Sequence, residues 1–479
     1  LDTTGSMAGT NLGDSVTRID ALRDVVRNFH AQLEGSKDPG TRIRYGFVPY
    51  ATNVNVGHLL EDDWVVDEWT YQSRERVEDP DSIYMHTDWR NWVTISGNTV
   101  DTTVLTYPAI YNPGSGETVA GSYSCVGSQP INTYRNNDTL LSETSEPYIG
   151  PPAGTITTQH YRRESNGNSY WTSLDGTTCK VQKRVHNDLV QEFDKVTYPK
   201  AESTWLYGPV TKDVTNWRTE TDGCIEERDT YEIYSFLQTV DFDRALDLNI
   251  DAIPDPGNAA TQWRPMYPGM IWERALHNIN ARNFRSDPVS YSGDYFRPAD
   301  PRYPALIACP TPARNLAEMS ADEVDDYLNS LVVLGQTYHD IGMIWGGRLL
   351  SPTGIFADEN ADVDNKETTR HLIFLTDGKT EPMPTAYTAY GVEMIDQRRW
   401  TDRPDPLLDA TIELRFGIAC NEVKKRNITV WVVGFGTLMS PMMKRCAGDG
   451  HWFQADDAAQ LEETFDKIAK SLAELRVSR

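Results

Sequence analysis

Two short, unbroken apolar runs constrain this chain more than any other feature. His371–Thr376 (HLIFLT) and Ile428–Phe435 (ITVWVVGF) show no alternation of polar and apolar residues. A strand wetted on one face alternates, whereas a strand covered on both faces does not, and such cover is the habit of parallel sheets flanked by helices. Leu408–Arg426, between the two runs, has the helical pattern that a parallel crossover requires. Upstream, Ile19, Leu22, Val26, Phe29 and Leu33 recur at steps of three and four, behind Asp14 and Ser15 as candidate caps. Ile43–Val54 reads as a strand ending near Pro49, because proline is poorly tolerated in a central ladder. The Leu328–Leu334 region leads into a helix around Ile341–Leu350, and Leu461, Phe465, Ile468, Leu472 and Leu475 mark a closing helix. The alternation predicts an α/β fold: a doubly wound, mostly parallel sheet with its ligand crevice at the carboxyl ends of the strands.

That pattern is interrupted by about 260 residues, too many for a structureless loop in a compact protein. The interruption is rich in Thr, Ser, Gly and Pro and holds nine of the 13 Trp and four of the six Cys. It reads as an inserted, largely β, disulfide-bearing domain. The expected organisation is therefore residues 1–56 and 320–479 as the two parts of one α/β domain, with 57–319 inserted. Cys125, Cys179, Cys224, Cys309, Cys420 and Cys446 include no C-x-x-C pair, which removes zinc-ribbon and thioredoxin readings and favours disulfides. Their connectivity stays open; the near pair Cys420 and Cys446 is the favoured bridge, and buried free thiols are the competing reading.

A formal net charge of -25 with no basic stripe argues against nucleic acid and anionic lipid as partners. No apolar run is long enough to span a membrane. The chain opens at Leu1 directly on a motif that should follow a buried strand, so further residues are expected upstream.

The opening LDTTGSM sets Asp2, Thr4 and Ser6 at alternate positions before a helix. Carboxylate and hydroxyl oxygens suit a hard cation, although an Asp followed by small polar residues also makes an ordinary turn and cap. Two distant segments add to this set. Thr337 follows a glycine turn in GQTYHDIG, and Asp377 follows the first apolar run, where the crevice should lie. Asp2, Thr4, Ser6, Thr337 and Asp377 would then converge on one strand-end surface, an all-oxygen set that suits a hard dication such as Mg2+, Ca2+ or Mn2+. Only two formal negative charges would face the dication, leaving it electrophilic and open to a partner's Asp or Glu. No nucleophile with an adjacent base is apparent, so adhesion is preferred to catalysis.

These residues resemble the metal-ion-dependent adhesion site of von Willebrand factor A (VWA) domains, whose first motif usually reads DxSxS; here Thr4 replaces the first Ser. The resemblance implies a Rossmann-like fold, with Thr4, Ser6 and Thr337 as hydroxyl ligands and Asp2 and Asp377 binding directly or through water. A closer resemblance is to TadG-like proteins of the bacterial tight-adherence (Tad/Flp) pilus system, carried by RIDALRDVVRNF, FVPYATNVNVG, DGCIEERD, DIGMIWGGRLLSP, FLTDGK and KRCAGDGHWFQADDAAQLEETFDKIA. It covers the two ends and, within the insertion, only DGCIEERD. It implies a cell-surface, periplasmic or extracellular protein, anchored by an upstream helix, that acts in adhesion or pilus assembly and binds pilin or another surface protein.

Other features carry less. Asp358, Asn360, Asp362 and Asp364 alternate as in half a calcium loop, but the glycine and the closing Glu are absent, which favours a solvated acidic loop. Trp64, Trp69, Trp89 and Trp92, with Tyr71 and Tyr84, either stack on sugars or fill a small β core. The competing functional reading is a structural scaffold whose cation only stabilises the fold while the insertion binds the partner. A metal-chelatase-like or hydrolytic subunit is the weakest reading.

Overall fold

The structure, a computed structural model, describes residues 1–108, 110–112, 122–124, 130, 132–150, 152–175, 178–272, 288–290, 308–362, 368–401 and 406–477. The chain divides into two compact units. Leu1–Arg74, Tyr207–Ser286 and Gly293–Arg479 form the first; Glu75–Leu206 and Asp287–Ser292 form the second.

In the first unit Arg370–Thr376, Ile428–Phe435 and Trp452–Ala455 make a three-stranded parallel sheet with Ile428–Phe435 in the middle. Helices Leu408–Lys424 and Pro441–Ala447 supply the connections. Successive side chains leave opposite faces of a strand, and here both faces are buried. Leu372, Phe374, Val430 and Val432 join Ile344, Trp345, Ile412 and Phe416 in one apolar cluster. Leu375, Trp431, Val433 and Phe435 join Leu22, Phe29, Leu461 and Phe465 in another. Helices His339–Leu350 and Leu408–Lys424 thus cover one face, and Arg18–Gly35 and Ala458–Val477 the other. Phe29 and Phe465 meet edge to face at 5.4 Å. The side chain of Leu475 lies outside the described residues.

The expected cap assignment changes. Thr17 caps Arg18–Gly35 by accepting from the Asp20 N–H, while both Asp14 carboxylate oxygens accept from the Ala458 N–H at 3.1 Å. Asp14 therefore serves the start of the closing helix, far away in sequence.

The expectation of a doubly wound, mostly parallel sheet is overturned: the fold is mixed α/β, only three strands run parallel, and the sheets are mostly antiparallel. Tyr45–Phe47 pairs antiparallel with Arg314–Ala317 in a separate two-stranded sheet, and Asp2 meets Tyr50 only through a single bridge. A second sheet, most of whose residues belong to the second unit, sets Pro288–Ser290, Thr178–Asp213, Gly154–Asp175 and Arg135–Tyr148 side by side, with Glu68–Pro108 also on Thr178–Asp213. This antiparallel sheet curls into a half-barrel. The physical reason is connection type. Parallel neighbours need a long crossover, and helices supply one on the Thr376 to Ile428 and Phe435 to Trp452 paths, as Arg18–Gly35 does between Asp2 and its parallel bridge partner Tyr50. Few residues separate the paired strand ends Tyr148 and Gly154, and Asp175 and Thr178, so the chain must reverse and pair antiparallel.

Trp89 and Trp92 stand exposed beside the buried Phe193 ring, at 5.3 and 4.2 Å. Trp64 and Trp69 belong to the first unit and pack partly buried against its core; the Tyr84 side chain lies outside the described residues. Disulfides join Cys420 to Cys446 and Cys224 to Cys309. Cys179 is also disulfide-bonded, and Cys125 lies outside the described residues. Among the described residues no helix is long and apolar enough to cross a membrane.

Candidate metal centre

Asp377 is placed by the strand Arg370–Thr376, whose carboxyl end it directly follows. Asp2, Thr4 and Ser6 lie on the opening segment, tied to the following loop by the Thr3 N–H donating to the Tyr50 carbonyl at 3.0 Å. The Ser6 hydroxyl donates to Asp377 Oδ1 at 2.7 Å and sits 2.9 Å from the Thr4 hydroxyl. Asp2 is fully enclosed, and neutral donors surround it. Oδ1 accepts from the Thr4 N–H at 2.9 Å; Oδ2 accepts from the Thr376 hydroxyl at 2.9 Å, with the Tyr50 hydroxyl at 3.3 Å and the Asp377 N–H at 3.4 Å. Four of the five expected donors are therefore linked through hydrogen bonds.

Thr337 arrives by a turn stitched to the same segment. The Leu334 N–H donates to the Thr3 carbonyl at 2.9 Å, and the Gly5 N–H donates to the Gly335 carbonyl at 3.0 Å. Gly335 takes φ +88°, and a Cβ there would meet Ala308 Cβ at 2.2 Å, so both the conformation and the close approach require glycine. Thr337 is buried and bridges to Glu381 through backbone hydrogen bonds of 3.2 and 3.3 Å. Among the described residues its hydroxyl has no hydrogen-bond partner, and no hydrogen bond joins it to the other four.

The electrostatics follow from burial. Asp377 is pushed up to about 7, first by burial and then by the Asp2 charge, with Ser6 and Arg18 opposing. Arg18 Nη1 donates to Asp377 Oδ2 at 2.9 Å and is the one cation paired with this carboxylate among the described residues. His339 sits beneath the strand end, with Nε2 2.9 Å from the Thr376 hydroxyl and Nδ1 2.8 Å from that of Thr380. Burial holds it down at about 4, so the ring is neutral at pH 7.

Two carboxylates and three hydroxyls form an all-oxygen donor set, which fits a hard dication. Among the described residues no Lys, Arg or His side chain forms an ion pair with Asp2, which is in keeping with that fit. Among the described residues no three His, Cys, Asp or Glu side chains gather as a metal cluster; a donor set weighted to hydroxyls does not need one. A dication held here would supply Lewis acidity and an electrostatic anchor for an anionic ligand.

Arg18, Tyr50, Thr376 and His339 were not singled out by the sequence. Arg18 opens a helix and Thr376 adjoins Asp377, but neither position announces a partner. In the acidic stretch two of the described oxygen-bearing residues have protein partners: Asn360 is buried, donating to the Leu349 and Ser351 carbonyls at 2.8 and 3.0 Å, and Asp362 pairs with Arg370 at 3.2 Å. Asp364 lies outside the described residues. No family model, curated protein or solved structure matches the chain.

Proposed function

We propose that this protein holds a divalent cation, Mg2+ foremost, through Asp2, Thr4, Ser6, Thr337 and Asp377, and uses it to capture an acidic side chain of a protein partner. The observation that carries the reading is the link from Thr4 through Ser6 to Asp377, a contact across 371 residues that gathers three of the oxygen donors at one strand end. With only two carboxylates facing it, a dication keeps positive charge for a partner's carboxylate, and the disulfides suit an oxidising compartment. Together with the sequence resemblance to VWA and TadG-like proteins, this favours adhesion or pilus assembly at a bacterial cell surface or in the periplasm.

Titration calorimetry with Mg2+, Mn2+ and Ca2+ on the wild type, Asp377→Asn and Asp2→Asn tests the assignment. Binding to the wild type that falls at least about tenfold in each folded variant is expected. Unchanged binding in the variants would overturn it. Because Asp2 is wholly enclosed, a second reading has the cation stabilising the fold alone. In that case metal would raise the melting temperature while an Asp- or Glu-bearing peptide failed to bind the loaded protein.

A further inference from the structure

Arg18 is fastened beside the candidate cation site rather than loose on the surface. Nη1 donates to Asp377 Oδ2 at 2.9 Å and to the Ser6 carbonyl at 3.3 Å. Nε donates to Asn11 Oδ1 at 2.7 Å, and the backbone N–H donates to the Gly9 carbonyl at 2.8 Å. Asn11 is in turn pressed against Gly436, where a Cβ would meet its Oδ1 at 2.1 Å. The Asp377 side chain is fully enclosed and that of Arg18 is 21% exposed, so solvent screens the pair only in part. Arg18 thus cancels half of the negative charge that Asp2 and Asp377 offer a dication.

Building on the cation reading above, we infer that Arg18 is a tethered counter-cation that competes with the metal for Asp377. Its consequence is a site that binds a bare dication weakly and fills in response to cation supply. A dication on Asp377 repels the guanidinium, so either the Arg18 to Oδ2 bond breaks or both charges share one carboxylate, and each route weakens metal binding. In the metal-free protein the same bond lets Asp377 be buried as a carboxylate with a charged partner. One residue therefore stabilises the metal-free state and destabilises the loaded one.

The test is titration of the full chain with Mg2+ and with Mn2+ at low ionic strength, in the wild type, Arg18→Gln, Arg18→Met and Arg18→Lys. Both neutral variants are expected to bind the metals at least about tenfold more tightly, while Arg18→Lys, which keeps the charge, stays close to the wild type. Thermal melts in EDTA should show both neutral variants less stable than the wild type, with a larger gain on adding Mg2+. Cooperatively folded neutral variants that bind Mg2+ no more tightly than the wild type would overturn the competition and leave the cation site standing. Failure of every protein to bind either metal would overturn the cation site itself, and this inference with it.

Discussion

Thr337 sits on a turn tied to the opening segment, and among the described residues its hydroxyl has no hydrogen-bond partner. Thr337→Val keeps the shape and removes that oxygen. Mg2+ affinity is expected to fall about tenfold by calorimetry, while urea unfolding without metal shifts by less than about 1 kcal/mol; unchanged affinity would remove Thr337 from the ligand set. Asp340 poses a different residue-scale question. It is fully buried against Arg399, yet it is raised to about 6, because burial outweighs the attraction of Arg399 and Arg415 and the Glu393 and Asp247 charges add to the rise. A carboxyl whose folded value exceeds its unfolded one binds protons more readily when folded, so its contribution to stability grows as pH falls from about 7 towards 4. Relative to Asp340→Asn, the wild type should gain roughly 1 to 3 kcal/mol over that window in denaturant titrations. A constant difference between the two proteins would show that Asp340 does not titrate there.

At the scale of elements, the closing helix depends on a residue from the other end of the chain. Asp14→Ala removes the carboxylate from the Ala458 N–H and should cost about 1 kcal/mol, with faster amide exchange in the first turn of Ala458–Val477. The Cys420–Cys446 bridge closes a separation of 26 residues between helices Leu408–Lys424 and Pro441–Ala447. Replacing both cysteines by alanine is expected to cost about 3 kcal/mol, seen as a lower denaturation midpoint with cation binding retained. The helices were legible because their apolar residues recur at helical spacing, as with Leu461, Phe465, Ile468 and Leu472. The cap was not: Asp14 stands next to one helix in sequence and beneath another in space.

At the scale of the molecule, buried charge fixes the stretch holding Glu227 and Asp247 within the first unit. Glu227 accepts from Arg348 at 2.7 and 3.0 Å, from Trp345 Nε1 at 2.8 Å and from Trp263 Nε1 at 3.3 Å, and the Glu227 and Arg348 side chains are fully enclosed. Asp247 pairs likewise with Arg415 and accepts from the Tyr390 hydroxyl. Glu227→Gln leaves the Arg348 charge buried without its counter-ion and should cost about 3 to 5 kcal/mol in chemical denaturation; a loss below about 1 kcal/mol would mean that water reaches the pair. By itself the sequence determined the helices and the two strands covered on both faces, because periodicity is a local property. Only the tertiary structure decided that most strands pair antiparallel, that Asp14 caps the closing helix and that Arg18 answers Asp377. Pairing direction depends on the path between strands, and an ion pair depends on which distant residues the core brings together; neither quantity is written in any short stretch of the chain.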